Sequence, residues 1–322
     1  MPLGEFELIA KYFSRGAQGR PDVVLGVGDD AALLRVPEGR ELVVAADTVV
    51  SGVHFPSGIP PAAIGHRALA VNLSDLAAMG ATPAWFTLAL TLPRVDEEWL
   101  AEFSRGLFEL AGRFGMALVG GDTTSGPLAI TVQAMGHATP GTSILRSGAR
   151  SGDDIYLSAT TGDAAAGLAV LQGELDIASE TARADLIDRF LWPEPRVELG
   201  AALVGVASAG IDVSDGLLAD LGKLLAASDC GGRLDLDLPP VSPALMQVAD
   251  PRAALGFAAA GGDDYELCFT APPGNAAAVE RIAAALAIPL TRIGVVESAK
   301  GLRCFRDGRE VQVQAGGFDH FK

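Results

Sequence analysis

Apolar residues recur along the chain at two spacings, and their alternation predicts a protein of mixed helices and strands. Residues 1–20 read as a short amphipathic helix and a polar loop. Two apolar runs follow, 22–28 ending in glycines and 31–36 ending at Pro37. Residues 41–46 are rich in strand formers and are expected to deliver Asp47 at the strand's end. Leu69, Leu73 and Leu76 are four and three apart on one face, so 61–79 is expected to be a helix. Residues 85–92 alternate as a strand does, and 97–114 return to helical spacing. Residues 117–119 then run as a strand into Gly-Gly-Asp-Thr-Thr, and 128–137 form another.

A Gly/Ser/Arg-rich stretch, 147–152, marks the expected boundary between domains 1–146 and 147–322. Beyond it come a strand at 154–158, a helix from Asp163 and a helical stretch closing at Trp192-Pro193. A helix is expected over 197–208. The segment IDVSDG (211–216) leads into a helix at 217–227, and RLDLDL (233–238) alternates as a strand. GGDDYELCFT (261–270) reads as a turn entering a strand, 275–287 as a helix, and three short strands finish the chain. Strands and helices alternate in both halves, so the fold class is α/β (α+β).

Composition narrows the function. At 322 residues the length fits roughly two domains. The formal charge is −16, from 24 Lys+Arg against 40 Asp+Glu. This argues against a nucleic-acid binder, which needs a basic footprint. Cys230, Cys268 and Cys304 are far apart and form neither a disulfide framework nor a zinc motif. The N-terminus shows no signal-peptide pattern, and no apolar run reaches the ~18 residues of a membrane span. A soluble, cytoplasmic protein is expected.

Acidic balance becomes informative where the acids fall in Gly-rich segments. Five segments share that design: GVGDDAAL (26–33), VVAADT (43–48), NLSDLAAMG (72–80), LVGGDTTSG (118–126) and IDVSDG (211–216). An Asp beside Gly is most often a turn former or helix cap. Asp75 departs from that, because it lies three residues after Asn72, well inside a helix. Mg²⁺ takes oxygen ligands and keeps waters and substrate phosphates in its shell. Carboxylates at several strand ends, with glycines admitting phosphates, suit it. Asp30, Asp47, Asp75, Asp122, Asp212 and Asp215 meet that need.

Two simpler phosphate motifs fail. GVGDDA has the glycine spacing of a dinucleotide fold, with Asp47 at 19 residues after Gly28, but Pro37 stops the helix that fold requires. Gly216…Gly222-Lys223 has five intervening residues where a P-loop has four, and Leu224 where it has Ser or Thr. Gly152–Asp154 reads as an ordinary turn.

GVGDDAAL, ADTVVSGVHF, NLSDLAAMGATP, LVGGDTT, GIDVSDGL and GGDDYELCF occur in an order and at spacings that resemble the thiamine-monophosphate kinase family. That family belongs with aminoimidazole ribonucleotide synthetase and selenophosphate synthetase. The resemblance runs from Phe6 to the terminal GGFDHF. GVHF, GGDDYEL and GFDHF separate the family from its superfamily. It implies ATP as co-substrate, thiamine monophosphate as acceptor and Mg²⁺ as cofactor. It also implies an N-terminal α/β domain whose sheet pairs in a homodimer, and a C-terminal α/β domain closing over the nucleotide. Carried over by position, Asp30, Asp47, Asp75, Asp122, Asp212 and Asp215 hold Mg²⁺. Gly121, Asp122, Arg146 and Ser214 contact ATP, and His54, Asp263 and Phe318 contact thiamine phosphate. Among the metal-holding acids, Asp75, Asp122 and Asp212 are those expected to matter most for turnover.

The sequence departs from the family pattern in three places. Asp263 stands where Glu is usual, Ala45 and Ala46 stand where Ser or Thr is frequent, and Phe318 replaces Trp or Tyr. An acceptor that is a phosphate oxygen is already anionic near neutral pH and needs no general base. Selenophosphate synthetase would need an N-terminal Cys, and none precedes Cys230. Aminoimidazole ribonucleotide synthetase lacks the GGDDYEL ending. A nucleotide-binding protein without catalysis would have no need of all six Asp.

Overall fold

The computed structural model describes residues 4–14, 20–248 and 251–313. The chain falls into two compact units, Met1–Leu76 with Ala81–Gly141 and Ala77–Gly80 with Thr142–Lys322.

In the first unit the order is α1 (Glu5–Tyr12), β1 (Val23–Leu25), β2 (Leu33–Leu34), β3 (Glu41–Val50), α2 (Pro61–Ala78), β4 (Thr82–Leu92), α3 (Glu97–Arg113), β5 (Ala117–Ser125) and β6 (Ala129–Ala138). Four strands form one sheet in the order β3-β6-β4-β5. β4 and β5 are parallel, so they need a crossover, and α3 supplies it. Asp96 starts α3 by accepting the Trp99 N–H at 3.1 Å. Glu97 and Glu98 suit the helix's positive end. Leu100, Phe103, Leu107 and Leu110 form its buried stripe.

On one sheet face Ala84, Trp85, Ala117, Val119 and Met135 form a core, with Val23, Ala32 and Leu34 packed over it. Those three residues hold down the β1–β2 ribbon, and with it the acidic loop between the two strands.

Two expectations need correction here. β3 does not end before Asp47, but pairs with β6 along its whole length, from Glu41↔Ala138 to Val50↔Ala129. β5 likewise runs through Gly-Gly-Asp-Thr-Thr to Ser125. Gly, Asp and Thr have turn chemistry, but a neighbouring ladder overrides that preference. Asp47 and Asp122 are therefore strand residues, presented by the pleat. The register between β4 and β5 shifts after Phe86, where the extra Val119 is accommodated.

The second unit contains β7 (Asp154–Ser158), α4 (Asp163–Gln172), α5 (Glu180–Leu191), α6 (Val197–Leu203), β8 (Ala209–Val213), α7 (Leu217–Ala227), β9 (Gly231–Asp235), α8 (Pro251–Ala260), β10 (Glu266–Ala271), α9 (Ala276–Leu286), β11 (Leu290–Glu297), β12 (Gly301–Arg306) and β13 (Arg309–Val311). Its seven-stranded sheet has the order β13-β12-β9-β11-β7-β10-β8. Only β9 and β12 pair in parallel. Leu217, Leu218, Leu221, Leu224 and Leu225 of α7 pack on Ile155, Leu157, Ile211 and Val213. A second core joins α4, α5 and α8 through Ala166, Val170, Leu186, Ala254 and Ala258.

Three local expectations also change. The helix expected over 197–208 stops at Leu203, before Gly205 at φ +77°. RLDLDL leaves the sheet at Asp235. α8, PRAALGFAAA, was not anticipated, because an alanine-rich stretch carries no polar-apolar period.

At Gly121 the fold has no room for a side chain. Its φ is +150°, and a Cβ there would lie 1.8 Å from the Leu88 carbonyl oxygen. Gly120 has open space in the same place. Gly121→Ala is therefore expected to destabilise the protein by about 3 kcal/mol or more. Gly120→Ala is expected to stay within about 0.5 kcal/mol of the parent. Chemical denaturation of the two variants checks this, and equal stabilities would contradict the close approach at Gly121.

Candidate active site

The β1–β2 loop and the start of β5 enclose a cleft of about 540 Å³ in the first unit. Gly28, Asp29, Asp30, Gly120, Gly121 and Asp122 line it. Asp29, Asp30, Gly121 and Asp122 are all exposed. Leu88 and Leu118 form an apolar floor. Glycine backbone beside carboxylates lets polyanionic groups come close to both amide N–H groups and bound cations. Of the residues singled out in the sequence, this cleft brings Asp30, Gly121 and Asp122 together. Asp29, the first acid of the pair, lines the same cleft. Its signal was the doubled Asp in GVGDDA.

Asn72 ties the backbone of Asp47 to α2, the helix that carries Asp75. Asn72 is fully buried in α2. Its Oδ1 accepts the Asp47 backbone N–H at 3.1 Å, and its Nδ2 donates to the Ala68 carbonyl at 3.1 Å. β3 is thus pinned to α2 one turn before Asp75. Both Asp47 and Asp75 are half-buried.

His54 lies in the loop after β3. Its Nδ1 accepts the Val50 N–H at 3.0 Å, and its backbone N–H donates to the Val50 carbonyl at 2.9 Å. With Nδ1 an acceptor, the neutral ring carries its proton on Nε2.

In the second unit, the end of β8 and the loop 261–265 form one structure. Asp212 is buried in β8, opposite Leu267 of β10. Strand alternation turns it away from the face on which Ile211 and Val213 meet α7. The Asp263 N–H donates to the Ser214 carbonyl at 2.8 Å, and the Tyr265 N–H to the Val213 carbonyl at 2.9 Å. Asp212, Ser214, Asp215 and Asp263 are therefore gathered at one end of the sheet.

Asp220 organises that end from below. Its Oδ2 accepts the N–H groups of Ser214 and Asp215, both at 2.9 Å. Lys223 donates to Asp220 at 2.8 Å and also to Asp215. Burial pushes the Asp220 carboxyl up, against the pull of Lys223. Burial opposes the charged form of Lys223, but its two carboxylate hydrogen bonds outweigh it and raise the ammonium. The i, i+3 spacing of Asp220 and Lys223 was the available signal in the sequence.

Next to Asp263, Asp264 has a different task. It is buried and accepts the Gly162 N–H at 2.6 Å and the Ala164 N–H at 3.2 Å, at the start of α4. Burial holds its carboxyl well above the usual range, although those N–H groups pull it down. Arg146 is exposed, and its carbonyl accepts the Ser228 hydroxyl at 2.7 Å. Phe318 lies outside the described residues.

The six acids thus occupy two places in the first unit and one in the second. Among the described residues no three His, Cys, Asp or Glu side chains group closely enough to hold a metal ion by themselves. That is compatible with Mg²⁺, which is usually bound by one or two carboxylates together with water and substrate phosphates. The donor set fits as well, being oxygen throughout, with no thiol in the cleft.

Comparison with known proteins identifies the family. Residues 28–138 match the family model "AIR synthase related protein, N-terminal domain", and residues 150–307 match the corresponding C-terminal domain. A crystal structure of thiamine-monophosphate kinase from Stenotrophomonas maltophilia K279a has a TM-score of 0.88 at 47% identity, covering 97% of this chain and 99% of that one. The structure of AaThiL complexed with AMPPCP and TMP has a TM-score of 0.79 at 30% identity, covering 100% and 99%. The thiamine-monophosphate kinase of Salmonella typhimurium is 51% identical over 322 residues, 100% of this chain and 99% of that protein. With both domains matched in order and half the residues shared end to end, the chain belongs to the thiamine-monophosphate kinase family.

Proposed function

We propose that this protein transfers the γ-phosphoryl group of ATP to the phosphate of thiamine monophosphate, giving ADP and thiamine diphosphate. The observation that carries the reading is the glycine-lined acidic cleft of Gly28, Asp30, Gly121 and Asp122. AaThiL, similar over its whole length, holds the ATP analogue AMPPCP together with TMP. Purified protein with ATP, Mg²⁺ and a panel of phosphorylated small molecules tests it, by the appearance of ADP and thiamine diphosphate.

In the reaction a phosphate oxygen of the acceptor forms the new P–O bond as the β,γ bridge of ATP breaks, and ADP leaves. Mg²⁺, when bound, neutralises charge on the two anions that must meet and orients them in line. Asp30, Asp47, Asp75, Asp122, Asp212 and Asp215 are the side chains proposed to hold it. For Asp215 this means exchanging the ammonium of Lys223 for the metal. Gly121, Asp122, Arg146 and Ser214 are assigned to ATP, and His54, Asp263 and Phe318 to thiamine phosphate. Residues 1–146 serve as the ATP-binding and dimerising domain, and 147–322 complete the active site and close over the nucleotide. No general base is assigned, because the attacking oxygen already bears charge. The Nδ1 lone pair of His54 is engaged by backbone, which suits a donor on Nε2 better than a base.

Two coarser properties complete the proposal. β3 is a ten-residue edge strand with Leu42 and Val44 each 48% exposed, a surface that suits pairing with a second copy. All three cysteines are free and buried, as suits the reducing cytoplasm. Among the described residues no helix is long and apolar enough to cross a membrane.

Asp75→Asn and Asp122→Asn keep side-chain volume but lose the charge. Each is expected to cut turnover by about a hundredfold or more while the fold survives. Near-normal turnover in both, across a Mg²⁺ titration, refutes the metal assignment. Light scattering at micromolar concentration is expected to give twice the monomer mass, and the monomer mass counts against the β3 pairing.

The acceptor should be thiamine monophosphate and not free thiamine. A neutral hydroxyl would need a base to take its proton, and the acids here are committed to metal. His54→Ala is accordingly expected to raise the KM for thiamine monophosphate and to leave turnover at saturation. Equal phosphorylation of free thiamine, or loss of all turnover in His54→Ala at saturation, replaces this mechanism with a base-assisted one.

A further inference from the structure

Both walls of the acidic cleft grow from one place in the first unit. One wall is the loop of the β1–β2 ribbon, which carries Gly28, Asp29 and Asp30. The other is the middle of β5, with Gly121 and Asp122. The ribbon is a two-stranded sheet separate from the four-stranded one. Its strands are only Val23–Leu25 and Leu33–Leu34, and a ribbon of that size has little stability alone. Val23, Ala32 and Leu34 pack on the core that includes Ala117 and Val119 of β5. Apolar packing is not directional. It holds the ribbon down but does not by itself fix where the ribbon lies along the sheet.

Arg20 supplies a directional contact. Its guanidinium meets Asp22 in a two-pronged pair, Nε to Oδ1 at 2.9 Å and Nη2 to Oδ2 at 2.6 Å. The remaining nitrogen, Nη1, donates to the Gly115 carbonyl. The two side chains are 28% and 24% exposed, so water screens this pair less than one on the open surface. The guanidinium holds the Asp22 carboxyl below the usual carboxylate range.

Each partner of that guanidinium roots one wall. Asp22 stands immediately before β1, and its carbonyl accepts the Arg35 N–H at 2.8 Å, which closes the ribbon just behind β2. Gly115 is the left-handed residue, φ +61°, that ends α3, and the Met116 N–H turns back to the Ala111 carbonyl at 2.8 Å. β5 begins directly after that corner, at Ala117. Arg20 thus ties the foot of the ribbon to the foot of β5. A two-pronged guanidinium–carboxylate pair has a set geometry, and the bond to the Gly115 carbonyl anchors it to the corner.

We infer that Arg20 and Asp22 are positioning residues for the nucleotide: with the Gly115 carbonyl they set the spacing between the two acidic walls of the cleft. Neither residue lines the cleft, so both act through the ribbon. Phosphates and their cation draw on both walls at once. A ribbon free to slide has to be ordered as they bind, and that ordering costs affinity. The inference rests on the reading of this cleft as the place of the ATP phosphates, and the two can fail separately.

Arg20→Met keeps an apolar stem and removes the bonds to Asp22 and Gly115. In the full-length protein, calorimetric titration with AMPPCP and Mg²⁺ is expected to give a Kd about tenfold higher than the parent's. The KM for ATP should rise in the same proportion, while the KM for thiamine monophosphate stays within about twofold. Asp22→Asn makes the same test with the smallest change of shape, and should weaken AMPPCP in the same direction. In the double variant the loss should be no larger than in the weaker-binding single variant, because the two side chains act as one unit. Arg20→Lys can meet the carboxylate but lacks the planar fork, and is expected to recover part of the affinity. Hydrogen exchange of the ribbon amides should quicken in Arg20→Met. A pair that only adds stability predicts a lower thermal midpoint with AMPPCP affinity unchanged, and that result overturns the positioning role. Asp122→Asn tests the cleft itself. If it weakens AMPPCP while Arg20→Met and Asp22→Asn leave the Kd within about twofold, the positioning role is wrong and the cleft reading stands. If Asp122→Asn leaves AMPPCP binding unchanged, the cleft is not the phosphate site and the inference falls with it.

Discussion

The second unit is organised around one buried charge. Glu266 is fully buried at the start of β10. Its carboxylate accepts from Arg196 Nε at 2.7 Å and Nη2 at 2.5 Å, from Arg189 at 2.9 Å and from the Ser158 hydroxyl at 2.6 Å. An unpaired carboxylate at that depth costs several kcal/mol, and full pairing offsets most of it without making the pair strongly stabilising. Its effect is chiefly one of register. α5, the start of α6 and β7 must all stand where three side chains can reach one carboxylate. β10 lies between β7 and β8, so fixing its start also fixes the depth at which β8 and loop 261–265 emerge. The acids at that end of the sheet owe their placement in part to a fully buried carboxylate.

The two units handle crowded negative charge differently. In the second, Asp215 and Asp220 share Lys223, and Asp220 also takes two backbone N–H groups. In the first, Asp29, Asp30 and Asp122 stand exposed around glycine backbone. Exposed carboxylates of this kind need no internal partner, because water solvates them. In the second unit Asp215 and Asp220 are held by the internal cation of Lys223. The chain's formal charge of −16 is thus compatible with a stable fold, because among the described residues the buried acids have partners.

What was legible in the sequence was local. The leucine spacing in α2, the alternation in β4 and the helical spacing of α3 each rest on residues within a turn or two. Asp75 could be placed mid-helix for the same reason. The strands through Asp47 and Asp122 were cut short, because Gly, Asp and Thr read as turns and only the partner strands β6 and β4 keep them extended. Long-range pairs left no trace. Glu266 meets Arg189 and Arg196 across 77 and 70 residues, and Asn72 meets Asp47 across 25. In GGDDYEL the four polar side chains read alike. In the structure Asp264 caps a helix, Glu266 anchors the sheet, and only Asp263 and Tyr265 are turned to each other.

That division bears on the one departure from the family pattern that the structure makes intelligible. Glutamate is usual where Asp263 stands, and a shorter arm loses reach. The backbone there has φ +69°, a region in which aspartate is several-fold enriched and glutamate is not. The shorter side chain therefore relieves the backbone at the position where the loop is most constrained. It also brings the carboxylate within 3.0 Å of the Tyr265 hydroxyl. With fewer torsions to order and one oxygen held by the phenol, Asp263 loses less side-chain entropy on folding than a longer arm does.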